Sequence, residues 1–195
     1  MAQAFLSTVR SRRGHFRLES GHHGDFWLDL ETLFLRPAHI RPFAAELAAR
    51  LGRYDVDAVC GPLNEGAFVA LMVASELDRD FTYAERFVDP TRDALFPVEY
   101  RLPSILGPLV RGRRVAIVND VIGAGSAVRG AFASLHALSA RVVVIGSLAV
   151  LGTSIAAFAR ERDVAVESLA RLRNDVWEPT ECPLCRSGVP LETVS

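Results

Sequence analysis

An α/β domain, with a mainly parallel central sheet flanked by helices, is the fold this sequence predicts, and three observations carry that expectation. Short apolar runs at residues 56–60, 81–84, 115–118 and 142–148 have the length of buried strands. Helical apolar patterns stand between them, over 68–77 and at Val128, Phe132, Leu135 and Leu138. Strands joined through helices imply right-handed crossovers, hence parallel neighbours covered on both faces. Finally, 195 residues, half of them apolar and 23% charged, suit one domain with a sizeable core.

Taken in order, the chain opens on a short amphipathic helix at 6–10, and Phe16, Leu18, Trp27, Leu28 and Leu30 sit around polar turns as in short strands. Residues 37–51 form a helix, in which Pro42 is tolerated near the start, Phe43, Leu47 and Leu51 recur at helical spacing, and Gly52 follows. The strand at 56–60 stops at Gly61-Pro62, then come the helix at 68–77 and a strand at 81–84. Residues 85–114 lack a helical period and contain four prolines, as expected of an extended, flexible arm. Within it Phe96, Val98, Tyr100 and Leu102 alternate with Pro97, Glu99 and Arg101, the period of a half-exposed strand. A strand at 115–118, a small-residue loop at 123–126, a helix and the strand at 142–148 complete the regular part. Residues 160–195 are a less regular tail, with Val164 and Val166 in a last strand.

Composition narrows the function. The net charge of −1 provides no global field for nucleic acid or an anionic membrane, so any anion site is local. All 22 basic residues are arginine, which removes Schiff-base and other lysine chemistry. The apolar stretch at 142–151 is about half of the ~20 residues a membrane helix needs, and the N-terminus lacks a signal-peptide pattern. Three cysteines do not make a disulfide framework, so a reducing cytoplasm is expected.

The segment Val115-Ala116-Ile117-Val118-Asn119-Asp120-Val121-Ile122-Gly123-Ala124-Gly125-Ser126-Ala127 carries the chemistry. A buried strand ends in a polar pair, and a loop of small residues then opens a helix. Ligands of open α/β sheets bind outside such strand ends, and a helix N-terminus there aims backbone N–H groups at an anion. A phosphate suits Gly123, Ala124, Gly125, Ser126 and Ala127, and Asn119 and Asp120 are placed for the hydroxyls of an attached sugar. The bland alternative is a tight strand-to-helix turn.

This motif resembles the phosphoribosyl-pyrophosphate signature of type I phosphoribosyltransferases. Other segments match the orotate phosphoribosyltransferase branch in the same order: Phe16-Arg17-Leu18-Glu19-Ser20-Gly21-His22-His23, Cys60-Gly61-Pro62-Leu63-Asn64-Glu65-Gly66-Ala67, and Tyr83-Ala84-Glu85-Arg86. The resemblance spans about Phe16 to Gly152. It implies a parallel sheet, an N-terminal hood (16–36) over the base, a catalytic arm (85–114), a homodimer and magnesium, in a cytoplasmic enzyme of pyrimidine nucleotide synthesis. The reaction it implies moves ribose 5-phosphate from phosphoribosyl pyrophosphate to a nucleobase. Asp120, Asn119 and Arg86 would be catalytic, Leu63, Asn64, Glu65 and Gly66 would bind pyrophosphate, and Glu19, Phe26 and Trp27 would meet the base. Arg86, Arg92 and Arg101 are the arm cations available to close over the site.

The departures matter as much. Asn119 stands where the family carries a first acidic residue, and Glu19 and Glu65 stand where it carries lysines. The arginine that contacts orotate has no counterpart in Ala149-Val150-Leu151. These changes argue for an acceptor other than orotate, and Asn119, Glu19 and Glu65 motivate an alternative, a non-catalytic sensor on the same fold; a purine-type transferase is a further alternative, from which the N-terminal resemblance points away. His22 and His23, in a polar loop, are expected to be solvated. Cys182-Pro183-Leu184-Cys185 is half of a zinc site, against the alternative of a packed tail; Cys60, the remaining cysteine, reads as core, and Trp177 as an anchor for the tail.

Overall fold

The computed structural model describes residues 1–18, 21–88 and 98–193. In chain order the elements are α1 (Ala2–Thr8), β1 (Arg10–Arg17), β2 (His23–Asp29), α2 (Glu31–Phe34), α3 (Pro37–Leu51), β3 (Ala58–Pro62), α4 (Glu65–Leu77), β4 (Asp80–Val88), β5 (Val98–Arg101), α5 (Gly107–Val110), β6 (Arg114–Ile122), α6 (Ser126–Ala137), β7 (Arg141–Leu151), α7 (Ser154–Glu161), β8 (Ala165–Leu172), β9 (Val176–Trp177), α8 (Pro183–Arg186) and β10 (Glu192–Thr193). Six strands form the main sheet in the order β5-β4-β3-β6-β7-β8, parallel except for the β4–β5 pair. A smaller sheet, β10-β1-β2-β9, forms the hood.

Each face of the main sheet is buried under its own helices, and the strands' period of two divides their side chains between them. Ala116, Val118, Val144 and Leu148 join Leu47 and Leu51 of α3 and Val69 and Val73 of α4. Val115, Ile117 and Ile145 join Val128 and Leu135 of α6 and Ile155 and Phe158 of α7. This two-sided burial explains why the central strands read as unbroken apolar runs. Burying each such side chain contributes about 1.5–3 kcal/mol.

Helix α4 lies unusually close to β3. A Cβ on Gly61 would stand 2.6 Å from both Ala67 Cα and Ala70 Cβ, so glycine on the strand and alanines on the helix are what permit the approach. Gly61→Ala is therefore expected to lower the unfolding free energy by about 1–3 kcal/mol, the range for overpacking. Urea titration checks this; an unchanged midpoint would mean that the helix shifts without cost.

Three expectations are corrected. Segment 85–114 is not an extended arm throughout: β4 continues to Val88 and returns as β5, with Glu85 opposite Arg101 and Val88 opposite Val98. The base of this hairpin packs on α6, where a Cβ on Gly130 would fall 2.6 Å from Tyr100 Cδ2 and the Leu102 N–H donates to Ser134 Oγ at 3.0 Å. Leu102 and Val110 are buried, so residues 98–114 belong to the scaffold. The middle of the expected arm, including Arg92, Phe96 and Pro97, lies outside the described residues.

The hood begins at Arg10 rather than at Phe16. Segment 160–195 is more regular than expected: the last strand read at Val164 and Val166 is β8, Ala165–Leu172, at one edge of the main sheet, and β9 and β10 form both edges of the hood. No helix among the described residues is long and apolar enough to cross a membrane.

Candidate active site

The neighbouring central strands β3 and β6 feed helices that pack on opposite faces of the sheet, α4 with one core cluster and α6 with the other. Such a switch point opens a crevice at the carboxyl ends of the strands. A cleft of about 390 Å³ occupies it. Asn119 and Asp120 of β6 line the cleft, as do the loop residues Gly123, Ala124, Gly125, Ser126 and Ala127. Leu63, Asn64, Glu65 and Gly66 line it from the other strand end, Arg86 from β4, and Phe26 and Trp27 from the hood. The residues expected for the phosphate, the pyrophosphate, the sugar and the base thus line one cleft except Glu19, which, like Arg92, lies outside the described residues; Arg101 and the Cys182–Cys185 pair lie elsewhere.

Both helices that open on the cleft begin without a side-chain cap, α4 after Asn64 and α6 after Gly125. Their first N–H groups and dipole ends are accordingly directed at the site, an arrangement suited to anions. Gly125 takes the left-handed conformation, φ +83°, that the turn into α6 requires. Ser154 Oγ donates to the Gly123 carbonyl at 2.8 Å, bracing the loop from the start of α7.

The polar pair divides its work. Asn119 is buried, and its Nδ2 donates to the Val121 carbonyl at 2.8 Å. Its Oδ1 lies over Gly66, where a Cβ would come within 2.1 Å. Asn119 thus bonds within its own strand and packs against the first turn of α4. Asp120 is half-buried, and Ser147 Oγ donates to its backbone carbonyl at 3.0 Å. Arg86 is the cation lining the cleft among the described residues; Arg101 instead pairs with Glu99 and lies over Phe87. The Leu63 N–H donates to the Ala84 carbonyl at 2.9 Å, which brings the β3 loop and the Arg86 strand together. Burial pushes the Cys60 thiol up to about 12, the behaviour of a core residue as expected.

Two of the polar lining residues are new. Tyr100 comes from β5, and Asn174 from the link between β8 and β9. Asn174 is buried, and its Oδ1 has no hydrogen-bond partner among the described residues. Its link is clasped to β2, where the Asp175 N–H donates to Asp25 Oδ1 at 2.9 Å and Asp25 N–H returns to the Asp175 carbonyl at 3.2 Å. Apolar Leu151, at the end of β7, also faces the cleft.

Known proteins share this arrangement. The orotate phosphoribosyltransferase of Thermotoga maritima is 33% identical over 181 residues, covering 92% of this chain and 88% of that one. The chain belongs to the orotate phosphoribosyltransferase family. It is a phosphoribosyltransferase, and its donor is phosphoribosyl pyrophosphate. The match is longer than Phe16–Gly152 and so reaches into segment 160–195. Among solved structures, an orotate phosphoribosyltransferase from Aeropyrum pernix superposes with a TM-score of 0.63 at 20% identity, over 87% of this chain and 92% of that one. An adenine phosphoribosyltransferase from Thermoanaerobacter pseudethanolicus gives 0.64 at 16% identity, over 88% and 99%. Both likenesses establish the fold, which orotate and adenine enzymes share, so fold alone does not choose the acceptor. No protein-family profile matches the chain.

Proposed function

We propose that this phosphoribosyltransferase prefers a neutral, donor-bearing nucleobase to orotate. The observation that carries the reading is the lining of the cleft, where apolar Leu151, Phe26 and Trp27 occur with Asn174 and where Arg86 is the cation among the described residues. With Arg86 engaged by the pyrophosphate, a carboxylate there would lose water without gaining a cation from the described residues, a cost that a neutral base avoids.

In this reading the amides of Gly123 to Ala127 hold the 5-phosphate, and Leu63 to Gly66 with Arg86 hold the pyrophosphate. Attack by the base nitrogen at C1 expels pyrophosphate through an oxocarbenium-like state. Catalysis rests on in-line positioning and on the Asp120 carboxylate, which faces the cationic sugar. Asn119 is a positioning residue that braces the end of β6 and fills the space over Gly66.

The oxygen donors at the cleft fit magnesium. Glu65 and Asp120 both line it, and two carboxylates beside a pyrophosphate call for a divalent cation held mainly through phosphate oxygens. When bound, magnesium would neutralise charge on the leaving group. A homodimer in the cytoplasm completes the reading, with exposed Leu35, Phe68 and Leu71 as an apolar face for the partner copy.

A nucleobase panel with labelled phosphoribosyl pyrophosphate and magnesium, read by pyrophosphate release, tests the proposal. A neutral base should exceed orotate in kcat/KM by about tenfold or more, equivalent to ~1.4 kcal/mol. Orotate as the best acceptor would refute it.

A further inference from the structure

We infer that the protein carries a structural zinc site, built from His15 and His23 of the hood and Cys182 and Cys185 of the C-terminal segment. One ligand atom from each of these four side chains lies within 4.8 Å of all the others. His15 Nε2 is 3.0 Å from His23 Nδ1, 3.3 Å from Cys182 Sγ and 3.7 Å from Cys185 Sγ, and the Cys185 Sγ to His23 Nδ1 distance is 3.2 Å. With zinc–sulfur and zinc–nitrogen bonds of about 2.3 and 2.0–2.1 Å, a tetrahedral Cys₂His₂ site has edges of roughly 3.3–3.8 Å. Four of the six edges are within about 0.4 Å of those lengths, and the other two are no longer than 4.8 Å.

The hydrogen bond at the far nitrogen of His15 strengthens the assignment. Its Nδ1 lies 2.9 Å from the Val189 carbonyl, which can only accept a hydrogen bond, so Nδ1 donates there and Nε2 is the nitrogen turned to the cluster. One lone pair can take one hydrogen, yet a second imidazole and two sulfurs converge on it. A single cation satisfies all four. The Nδ1–H bond to a backbone carbonyl is also the partner that zinc-bound histidines typically have, fixing tautomer and ring orientation.

Burial separates this cluster from a chance surface group. His15 is 1% exposed, His23 5% and Cys182 1%, so His23 is not the solvated loop residue that its polar neighbours suggest. The β1–β2 register shifts between Arg13 and Phe16, and such an irregularity re-aims a side chain. It accounts for His15 and Phe16, adjacent in a strand, both being buried. Thiolate and imidazole donors in a tetrahedral set select zinc over magnesium.

The ion would join the ends of the chain. Cys182 and Cys185 lie between β9 and β10, two-residue strands that pair with β2 and β1. Strands this short supply little pairing energy of their own, so the metal would hold the C-terminal segment on the hood, next to Phe26, Trp27 and Asn174 of the cleft. Its four ligands fill the coordination shell, the condition of a structural rather than a catalytic site.

The test begins with the wild-type chain purified from zinc-supplemented cells without chelator. Elemental analysis should find one zinc per chain, and a mercurial that titrates the thiols should release it. Cobalt exchanged into the protein should show the visible bands of a tetrahedral site and a thiolate charge-transfer band. Cys185→Ser, at the exposed ligand, should lose both the zinc and part of that band, while His22→Gln, one residue from a ligand, should keep them. Wild-type chains that hold no zinc and take up no cobalt would overturn the inference. So would a Cys185→Ser variant that keeps full metal content.

Discussion

Gly125→Val is expected to lower the affinity for phosphoribosyl pyrophosphate by at least two orders of magnitude. Gly125 has φ +83°, a region that costs an L-residue roughly 1–2 kcal/mol and a β-branched one more. Its Cβ would also stand 3.3 Å from Ile155 Cδ1 and 3.7 Å from Ile122 Cγ2, leaving a valine little room on the core side. Relief comes most readily by moving the loop, since Ile122 and Ile155 are fully buried. Once it moves, the amides of 123–127 no longer converge on one point. A hydrogen bond to a charged group is worth about 1.5–3 kcal/mol, so misaligning two of them costs ~3–6 kcal/mol, or roughly 10²–10⁴ in affinity. Calorimetric titration with phosphoribosyl pyrophosphate and magnesium measures it, and circular dichroism verifies the fold. Native affinity in a folded variant would remove the 5-phosphate assignment.

The small-residue loop at 123–127 was legible because its signals are local. An apolar run, a polar pair and small residues follow one another within 115–127, and the strand, turn and helix are built from that same stretch. Asn119 and Asp120 were readable as a pair, but not their different roles: Asn119 turns to Val121 and Gly66, contacts set by how closely α4 approaches β3. The hairpin of β4 and β5 was half legible. The alternation around Tyr100 gave the strand, while the four prolines masked the fact that it pairs back on β4.

Segment 160–195 was the least legible, for a physical reason. Strands of two residues carry no detectable period, and β9 and β10 exist because β1 and β2, over 150 residues earlier in the chain, offer edges to pair with. Asn174 reaches the cleft through that pairing, and nothing in its own neighbourhood marks it. The zinc cluster shows the same limit. The Cys182-x-x-Cys185 spacing showed half a site, and the other half sits on a hairpin 167 residues away, where His15 and His23 look like ordinary polar-strand residues. Two histidines facing across a hairpin, set beside an unpaired CxxC, are the signal that could have joined them.

Asp120→Asn is expected to reduce kcat by about 10²–10³-fold, the cost of removing one preorganised electrostatic partner of a transition state, ~2.7–4 kcal/mol. Asp120 lines the cleft on a rigid central strand, and its backbone is held by Ser147, so a shape-conserving change alters charge with little change in position. Charge develops on the sugar only as pyrophosphate departs. The loss should therefore appear equally in kcat and kcat/KM, with KM for phosphoribosyl pyrophosphate nearly constant. Asn119→Asp makes the complementary test. A simple count of acidic residues says that restoring a second carboxylate should raise turnover. The geometry says otherwise: aspartate would lose the N–H that Asn119 donates to the Val121 carbonyl and would set a carboxylate against that oxygen, 2.8 Å from the present nitrogen. Turnover should fall in this variant too, by less than in Asp120→Asn, and thermal stability should fall with it. Steady-state kinetics on both variants, with an acceptor found active in the base panel, separates the roles. Full activity in Asp120→Asn would dismiss Asp120 as the electrostatic partner of the sugar, and a gain in Asn119→Asp would mean that the native pair runs below the charge its fold can accommodate.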